Sequence, residues 1–214
     1  MTPMRLLLSS HGASPYGAER VLLAMAEQLA ARGHEVSVEF PHEGPAVELA
    51  YGIRGIDVWV SGRPRLPRNG AELLRYMAGA PPAYHTLLRR IQRDRYDVVW
   101  VHSIYNPIAA LAAKRAGVPT VWHVHERNLP LPAGWFLDRL IRHACDRAVV
   151  VSDFVRRSYQ ACADRMAVIP NALLRGLSPM ETKRGGPFTA LYIGQFEPRK
   201  RVPDVVAAMA RVPE

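Results

Sequence analysis

Short apolar runs alternate with helical patterns from the start of the chain. After MRLLLSS, apolar residues recur at the spacing of one helix face from Leu22 to Leu29, and Gly33 is placed to end that helix. Helical patterns also occur near 107–116 and 134–144. Strands separated by helices of this length predict an α/β fold with a Rossmann-like, doubly wound parallel sheet. The further strand-like runs are HEVSVEF, IDVWV, DVVWVHS, PTVWHVH, RAVVVS and MAVIPN.

The alternation breaks once, in RGLSPMETKRGGPF, which has two prolines, three glycines and no apolar period. Beyond this segment, TALYIGQF and an apolar-periodic stretch resemble the opening of another α/β unit. We therefore predict a first domain over 1–175, a linker over 176–188 and the first strand-helix unit of a second domain over 189–214. The apolar side chains of 189–214 need a surface to cover them, so we expect this unit to pack on a partner chain, as in a homo-oligomer, to pack on the first domain, or to be poorly ordered.

The 214 residues carry a formal net charge of +9, and all but three of the 28 basic residues are arginines. Between Arg63 and Arg95, eight arginines accompany only Glu72 and Asp94, a net +6 in one segment. This charge favours an anionic partner. The apolar spacing from Tyr84 to Ile91 predicts a helix, and two prolines at 81 and 82 are expected to separate it from a helical pattern before them.

Two interpretations of this basic helix stay open. It is an ordinary surface helix docked on the sheet, or it is an interfacial helix attracted to anionic lipid. No pattern typical of nucleic-acid binding accompanies the arginines, so no nucleic-acid partner is predicted. No apolar run reaches the ~18 residues of a membrane span, and the start does not resemble a signal peptide. We expect a cytoplasmic protein, with peripheral attachment to the inner face of a membrane as the alternative. Cys145 and Cys162 show no disulfide or metal spacing and are predicted to be buried thiols.

Polar residues follow several of the predicted strands. In parallel α/β sheets, ligands bind beyond the carboxyl ends of the strands, so these residues are candidates for a site. The loop HGASPYGAER joins a strand to a helix, where free backbone N–H groups and Gly12 and Gly17 favour an anion. It lacks the G-x-G-x-x-G fingerprint, and a turn without a ligand is the alternative. The candidates are Ser10, His11, Gly12, His102, Ser103, His123, His125, Glu126, Ser152 and Asp153.

The segment HVHERN places two histidines on one face of a strand. No third ligand follows at a recognisable spacing, so no metal is predicted. His125 is expected to enter the crevice as a hydrogen-bond donor or proton relay, with Glu126 holding its tautomer or charge, and a merely structural His125 is the alternative. Ser152 or Asp153 is placed to cap the next helix.

Five segments, in order, resemble the retaining glycosyltransferases of family 4, which have the GT-B fold of two Rossmann-like domains facing a cleft. The glycine-glycine-x-glutamate loop of this family is similar to YGAER, and its histidine-acid pair is similar to His125 and Glu126. Its V-S-x-F junction resembles VVSDFV, its I-P-N-G hinge resembles VIPNA, and the opening of its second domain resembles YIGQFEPRKRV. The resemblance spans the whole chain.

The resemblance implies transfer of a sugar from a nucleotide-diphosphate-sugar donor, with retention and without a metal, to a glycan, lipid or small-molecule acceptor. It implies catalytic roles for His125 and Glu126, and donor or phosphate contacts from Gly17, Lys200, Gln195 and Arg199. The acceptor cleft would include Tyr16, Glu19, His102 and Ser152. The first domain would hold the acceptor and the second most of the donor, so 1–214 is expected to be inactive alone.

Several positions depart from the family pattern. Tyr16 replaces a common glycine, Gln195 replaces an arginine that contacts the diphosphate, and Ala172 and Arg201 each replace a glycine. Two other functions remain as alternatives. One is a non-catalytic module that binds an anionic membrane surface or partner through 63–95. The other is a small Rossmann-like enzyme that uses a phosphorylated ligand at Gly12–Gly17.

Overall fold

The structure, a computed structural model, describes residues 2–67, 70–171, 191–194, 196 and 200–211. The chain divides into two compact units, Met1–Leu174 and Arg175–Glu214. The strands of the first unit are β1 (Arg5–Ser9), β2 (Glu35–Phe40), β3 (Ile56–Val60), β4 (Val98–His102), β5 (Thr120–Val124), β6 (Arg147–Val150) and β7 (Met166–Val168). Its helices are α1 (Gly17–Ala31), α2 (Pro45–Tyr51), α3 (Gly70–Asp94), α4 (Pro107–Ala116), α5 (Ala133–Ala144) and α6 (Asp153–Arg156), with a 3₁₀ turn at Ala163–Arg165.

The seven strands form one parallel sheet in the order β3-β2-β1-β4-β5-β6-β7. The order reverses direction at β1 and β4, which is the switch point of a doubly wound fold. The predicted Rossmann-like α/β architecture is therefore confirmed. In the register of the central strands, His102 of β4 lies beside His123 of β5.

Apolar clusters cover both faces of the sheet, as expected for buried parallel strands. On one face Leu6 and Leu8 pack with α1, α2 and β2. On the other face Leu7 packs with α3, α4, α5 and the strands β4 to β6. Because side chains alternate along a strand, three consecutive leucines of β1 supply both cores.

The helix α3 differs from its prediction. Residues Gly70–Asp94 form one helix with Pro81 and Pro82 inside it, rather than two helices separated by the prolines. The reason is packing on both sides of the prolines. Tyr76 before them and Leu87 and Ile91 after them belong to the same core, so the burial of one face outweighs the cost of the prolines.

The described part of the second unit contains α7 (Val202–Met209). The predicted strand TALYIGQF is not present in its described portion, Leu191–Gly194 and Phe196. Leu191, Ile193 and Phe196 are each more than four-fifths exposed. The predicted linker 176–188 lies outside the described residues, and the domain boundaries stay predictions.

Candidate functional site

Polar side chains from several strands meet at the carboxyl edge of the sheet. All seven strands are parallel, so the ends of β1, β4, β5 and β6 lie at the same edge. The structure places Ser10 and His11 after β1, His102 at the end of β4, and His125 just beyond β5. The convergence predicted for these residues follows directly from the strand order.

Three imidazoles form a compact group at this edge, which we call the histidine cluster: His102, His123 and His125. The centroids of His123 and His125 are 4.2 Å apart, those of His102 and His123 are 4.7 Å apart, and those of His102 and His125 are 5.3 Å apart. Nε2 of His125 lies 3.3 Å from Nδ1 of His102. The sequence predicted two histidines without a third ligand, but the third imidazole comes from the neighbouring strand, 21 positions before His123.

Burial keeps the histidine cluster uncharged. It lowers the pKa of His123 to about 3, with a further contribution from His125. It also holds the pKa of His102 well below its usual range. The pKa of His125 is lowered too, because burial outweighs the opposing effect of the Glu126 carboxylate. All three rings are therefore neutral at pH 7 and can offer a lone pair.

Glu126 is held by groups other than the His125 ring. Its carboxylate accepts the Ser103 hydroxyl at 2.7 Å and the backbone N–H groups of His125 at 3.2 Å and Ile104 at 3.4 Å. The described partner of the His125 ring is His102. Glu126 acts on His125 through its charge and through the backbone N–H, so of the two expected effects, on tautomer or on charge, the contacts favour the second. The role of Glu126 stays a prediction.

Ser103 has a left-handed backbone, with φ of 67°, directly after β4. This conformation is costly for a residue with a side chain and persists where surrounding contacts hold it. Its N–H donates to the carbonyl of His123, its carbonyl accepts the indole N–H of Trp122 at 2.8 Å, and its hydroxyl donates to Glu126. The strained turn thus links the ends of β4 and β5 at the site.

The loop before α1 lies against the same edge. Glu19 is buried, and its Oε1 lies 3.2 Å from Nδ1 of His11. A Cβ on Gly12 would come within 3.0 Å of Oε1 of Glu19, whereas a Cβ on Gly17 would meet no atom within 4 Å. Gly12 thus packs closely on Glu19, and Gly17 borders open space. Tyr16, the residue before α1, is more than half exposed.

A buried polar network below this loop was not predicted from the sequence. The carboxylate of Glu39 accepts the hydroxyls of Ser9 and Ser61 and pairs with Arg63 at 3.4 Å. Arg63 also donates to the carbonyl of Ser10. The network fixes the end of β1 from below. The sequence contains one indication of this network. A charged residue stands near the end of each of the two apolar segments HEVSVEF and VWVSGR.

Asn106 completes this network from the other side. It is fully buried, and its amide donates to the carbonyl of Ser9 at 3.1 Å, to the Ser9 hydroxyl at 2.9 Å and to the carbonyl of Ser10 at 3.3 Å. Asn106 directly precedes α4, so it joins the start of that helix to the end of β1.

The remaining predicted site residues are a helix cap, an exposed lysine and two residues outside the described parts of the chain. Ser152 accepts the N–H of Val155 at 3.3 Å and so caps α6, as the capping interpretation predicted. Lys200 is exposed in the second unit. Gln195 and Arg199 lie outside the described residues. The roles of all these residues stay predictions.

Some of the arginines in 63–95 are paired with carboxylates. Arg90 pairs with Asp57 at 2.6 Å and with Asp94 at 2.5 Å and stacks over the Trp59 ring, while Arg93 pairs with Asp94 at 2.6 Å. Burial of Leu87 and Ile91 shows that the second half of α3 is docked on the sheet. The first half exposes Leu73, Leu74 and Met77. No helix in the described parts of the chain is long and apolar enough to cross a membrane.

The family model described as Glycosyltransferase Family 4 matches residues 15–173, about three quarters of the chain. The chain belongs to this family. The match begins in the loop before α1, after Ser10, His11 and Gly12, and includes the histidine cluster and Glu126.

A phosphatidyl-myo-inositol mannosyltransferase of Mycolicibacterium smegmatis is 29% identical over 211 residues, covering 92% of this chain and 52% of the relative. This family 4 chain thus spans about half the length of the curated relative that it matches. Among solved structures, the lipopolysaccharide outer core galactosyltransferase WaaB has a TM-score of 0.66 at 17% identity, covering 98% of this chain and 58% of that one. The Anabaena protein HepE, in complex with UDP-glucose, has a TM-score of 0.59 at 17% identity, covering 79% and 44%. Both proteins are similar to this chain in fold.

Proposed function

We propose that residues 1–174 are the acceptor-side domain of a retaining glycosyltransferase that transfers a sugar from a nucleotide-diphosphate donor to a glycan, lipid or small-molecule acceptor. The observation that carries the proposal is the family match over 15–173, because it spans the loop of Gly17, the histidine cluster and Glu126. The UDP-glucose bound to HepE supports a nucleotide-sugar donor. The 214-residue chain alone is inactive in this proposal, because the second domain of the family holds most of the donor.

The proposed roles follow the surroundings of each residue. Gly17 borders open space at the start of α1, where a backbone N–H and the helix dipole can approach the donor. His125 is the more accessible member of the histidine cluster and contacts the donor sugar. Glu126 supplies fixed negative charge beside it, which favours the positive charge that develops on the sugar in the transition state.

The leaving diphosphate is neutralised by side-chain cations in this proposal, without a metal between the phosphates. Lys200 is exposed and carries a full positive charge on a flexible stem, which suits it to this contact. Arg199 adds a second cation, and Gln195 supplies a hydrogen bond where the family has an arginine. Tyr16 and Ser152 border the acceptor in this proposal. Glu19 and His102 were expected beside them, but both are buried and contact His11 and His125 from behind.

The test uses the full-length gene product with a panel of nucleotide-diphosphate sugars, UDP-glucose among them. We expect release of nucleoside diphosphate that depends on acceptor, and an anomer retained in the product by NMR. His125→Ala should lower kcat by about 100-fold or more, as loss of a transition-state contact does. His85→Ala removes an exposed histidine of α3 and is the matched control. Inversion at the anomeric carbon, or equal rates for both variants, would contradict the proposal.

A second candidate function is attachment to an anionic membrane surface through the first half of α3. The exposed Leu73, Leu74 and Met77 lie on one helix face, with Arg75 beside them. We expect sedimentation with vesicles that contain anionic lipid, reduced by salt and by Leu74→Ser. Leu49→Ser changes a similarly exposed leucine of α2 and should leave sedimentation unchanged. Binding that ignores lipid charge and salt would exclude this function.

A further inference from the structure

The histidine cluster contains buried nitrogens that the described protein groups do not satisfy. Within the described residues, neither ring nitrogen of His123 has a hydrogen-bond partner, and Nε2 of His102 has none. His123 is 5% exposed and His102 is 1% exposed, so bulk solvent does not replace the missing partners. Buried polar atoms are almost always paired in folded proteins, and an unpaired group points to a ligand, an ion or a bound water.

The arrangement of the nitrogens suits a transition-metal ion. One nitrogen from each of His102, His123 and His125 lies within 4.8 Å of the other two. A tetrahedral ion with nitrogen ligands at about 2.0–2.1 Å sets neighbouring nitrogens about 3.3 Å apart. Nδ1 of His102 and Nε2 of His125 are separated by 3.3 Å, which is the spacing of two corners of such a site. An ion would replace the hydrogen bond between these two nitrogens, and the unpaired nitrogens that it would satisfy are those of His123, not Nε2 of His102.

The third corner requires the ring of His123 to turn, and that ring packs against Trp100, His102 and His125. His123 belongs to β5 and is the register partner of His102, so the backbone holds both residues side by side. The torsion that turns a histidine ring has a broad energy well, and turning His123 breaks no described hydrogen bond of its ring. The ring of His125 is partly exposed and provides the route by which an ion enters.

We propose that His102, His123 and His125 form a binding site for a divalent transition-metal ion, with Zn²⁺ as the preferred occupant. Imidazole is a good ligand for Zn²⁺, and three histidines leave a fourth position for water or a ligand oxygen. The carboxylate of Glu126 acts electrostatically on His125 and compensates part of the charge of the ion.

An ion in this site binds a ring nitrogen of His125. If His125 contacts the donor sugar as proposed above, Zn²⁺ inhibits transfer by competing for that ring. This consequence alone rests on the proposed function, whereas binding of the ion does not.

The test is a metal titration of the 214-residue chain, prepared without a polyhistidine tag and stripped of metal by a chelator. We expect calorimetry to detect one Zn²⁺ per chain, and Co²⁺ to give the visible absorption of a tetrahedral nitrogen site. Zn²⁺ should also raise the Tm of the chain, because a ligand that binds only the folded state stabilises it.

Three variants connect the binding to the cluster. His125→Gln and His123→Gln should each weaken Zn²⁺ binding at least tenfold and remove the Co²⁺ absorption. His85→Gln removes an exposed histidine and should bind as the parent chain does. Circular dichroism confirms folding, and the partly exposed position of His125 makes His125→Gln the informative variant if His123→Gln does not fold.

No saturable binding of Zn²⁺, or equal binding by the parent chain and His125→Gln, would overturn the proposal. The cluster would then be a pair of hydrogen-bonded neutral imidazoles beside a structural histidine. Because the readout is the ion itself, failure of the metal site leaves the glycosyltransferase proposal intact. Conversely, absence of sugar transfer by the full-length product does not affect the metal titration.

Discussion

The buried pair of Glu39 and Arg63 holds the end of β1 in place. Glu39 is fully buried and Arg63 is 4% exposed, and together they hold the end of β1 through Ser9 and Ser10. A buried charge without its partner is strongly destabilising, because its desolvation is no longer compensated. The pair therefore matters for stability mainly because the loss of one member leaves the other charge buried and unpaired.

Arg63→Met should lower the free energy of unfolding by about 3–5 kcal/mol, since it leaves the Glu39 carboxylate buried and unpaired. Urea denaturation monitored by circular dichroism measures this change. Arg65→Met, two positions later, removes an exposed arginine whose described contact is His42, and should change stability by less than about 0.5 kcal/mol. Similar effects for the two variants would show that the buried pair does not stabilise the fold.

The two thiols provide a second prediction at the scale of single residues. Burial raises the pKa of Cys145 to about 11, and burial together with Asp138 raises the pKa of Cys162 further. The Cys162 thiol lies 3.0 Å from the Asp138 carboxylate. Because the reactive species is the thiolate, iodoacetamide at pH 8 should leave both thiols unmodified in the folded chain and alkylate both in urea. Mass spectrometry gives the count, and rapid labelling of the native chain would contradict the burial of either thiol.

Among the elements, α3 is where local sequence preference and tertiary packing disagree most. Two consecutive prolines predict the end of a helix, yet residues on both sides of them bury their side chains in one core. The stability gained from that core exceeds the local cost. The prolines should therefore lower the free energy of unfolding, but they do not end the helix.

Pro81→Ala should raise the free energy of unfolding by about 1–3 kcal/mol, because alanine removes a ring clash and can donate to the preceding turn. Pro81 is exposed, so little packing is lost. Thermal unfolding should show a higher Tm. Pro107→Ala is the control, because a proline in the first turn of α4 has no such clash, and this change should not stabilise the chain. A lower Tm for Pro81→Ala would mean that the proline ring itself supports the helix.

In the first unit, the alternation of apolar runs was enough to predict the strands, most of the helices and the parallel sheet. The strand predicted at TALYIGQF is not present in its described portion. Helix α2 was missed, because seven residues between two strands contain too little periodicity to distinguish a helix from a loop. The contact between His102 and His125 was also missed. Sequence spacing relates residues within one strand, whereas this contact depends on which strands are neighbours and on their register.

At the scale of the whole molecule, the described residues of the second unit include several exposed apolar side chains. Leu191, Ile193 and Phe196 are 81%, 85% and 86% exposed, and Val206 of α7 is 65% exposed. Surfaces of this kind are usually covered by another element or another chain. A homo-oligomer through 189–214, one of the three alternatives expected for this segment, would cover these side chains.

Light scattering should therefore show self-association of the 214-residue chain that increases with concentration. A truncated chain ending at Leu174, the boundary of the first compact unit, should be monomeric under the same conditions. Replacing both Ile193 and Phe196 by Ser should reduce association without changing the Tm of the first unit. A monomeric parent chain at every concentration would contradict this prediction.

The position of β4 and β5 inside the sheet also affects how readily the backbone at the site opens through thermal motion. These two strands lie in the interior of a seven-stranded sheet, and the amide of Ser103 donates to the carbonyl of His123 at 2.8 Å. Interior strands open only when the whole domain unfolds, so their amides exchange with deuterium more slowly than those of other elements. His102 and His123 therefore belong to a persistent part of the sheet. A ligand at the histidine cluster would lie against a rigid wall.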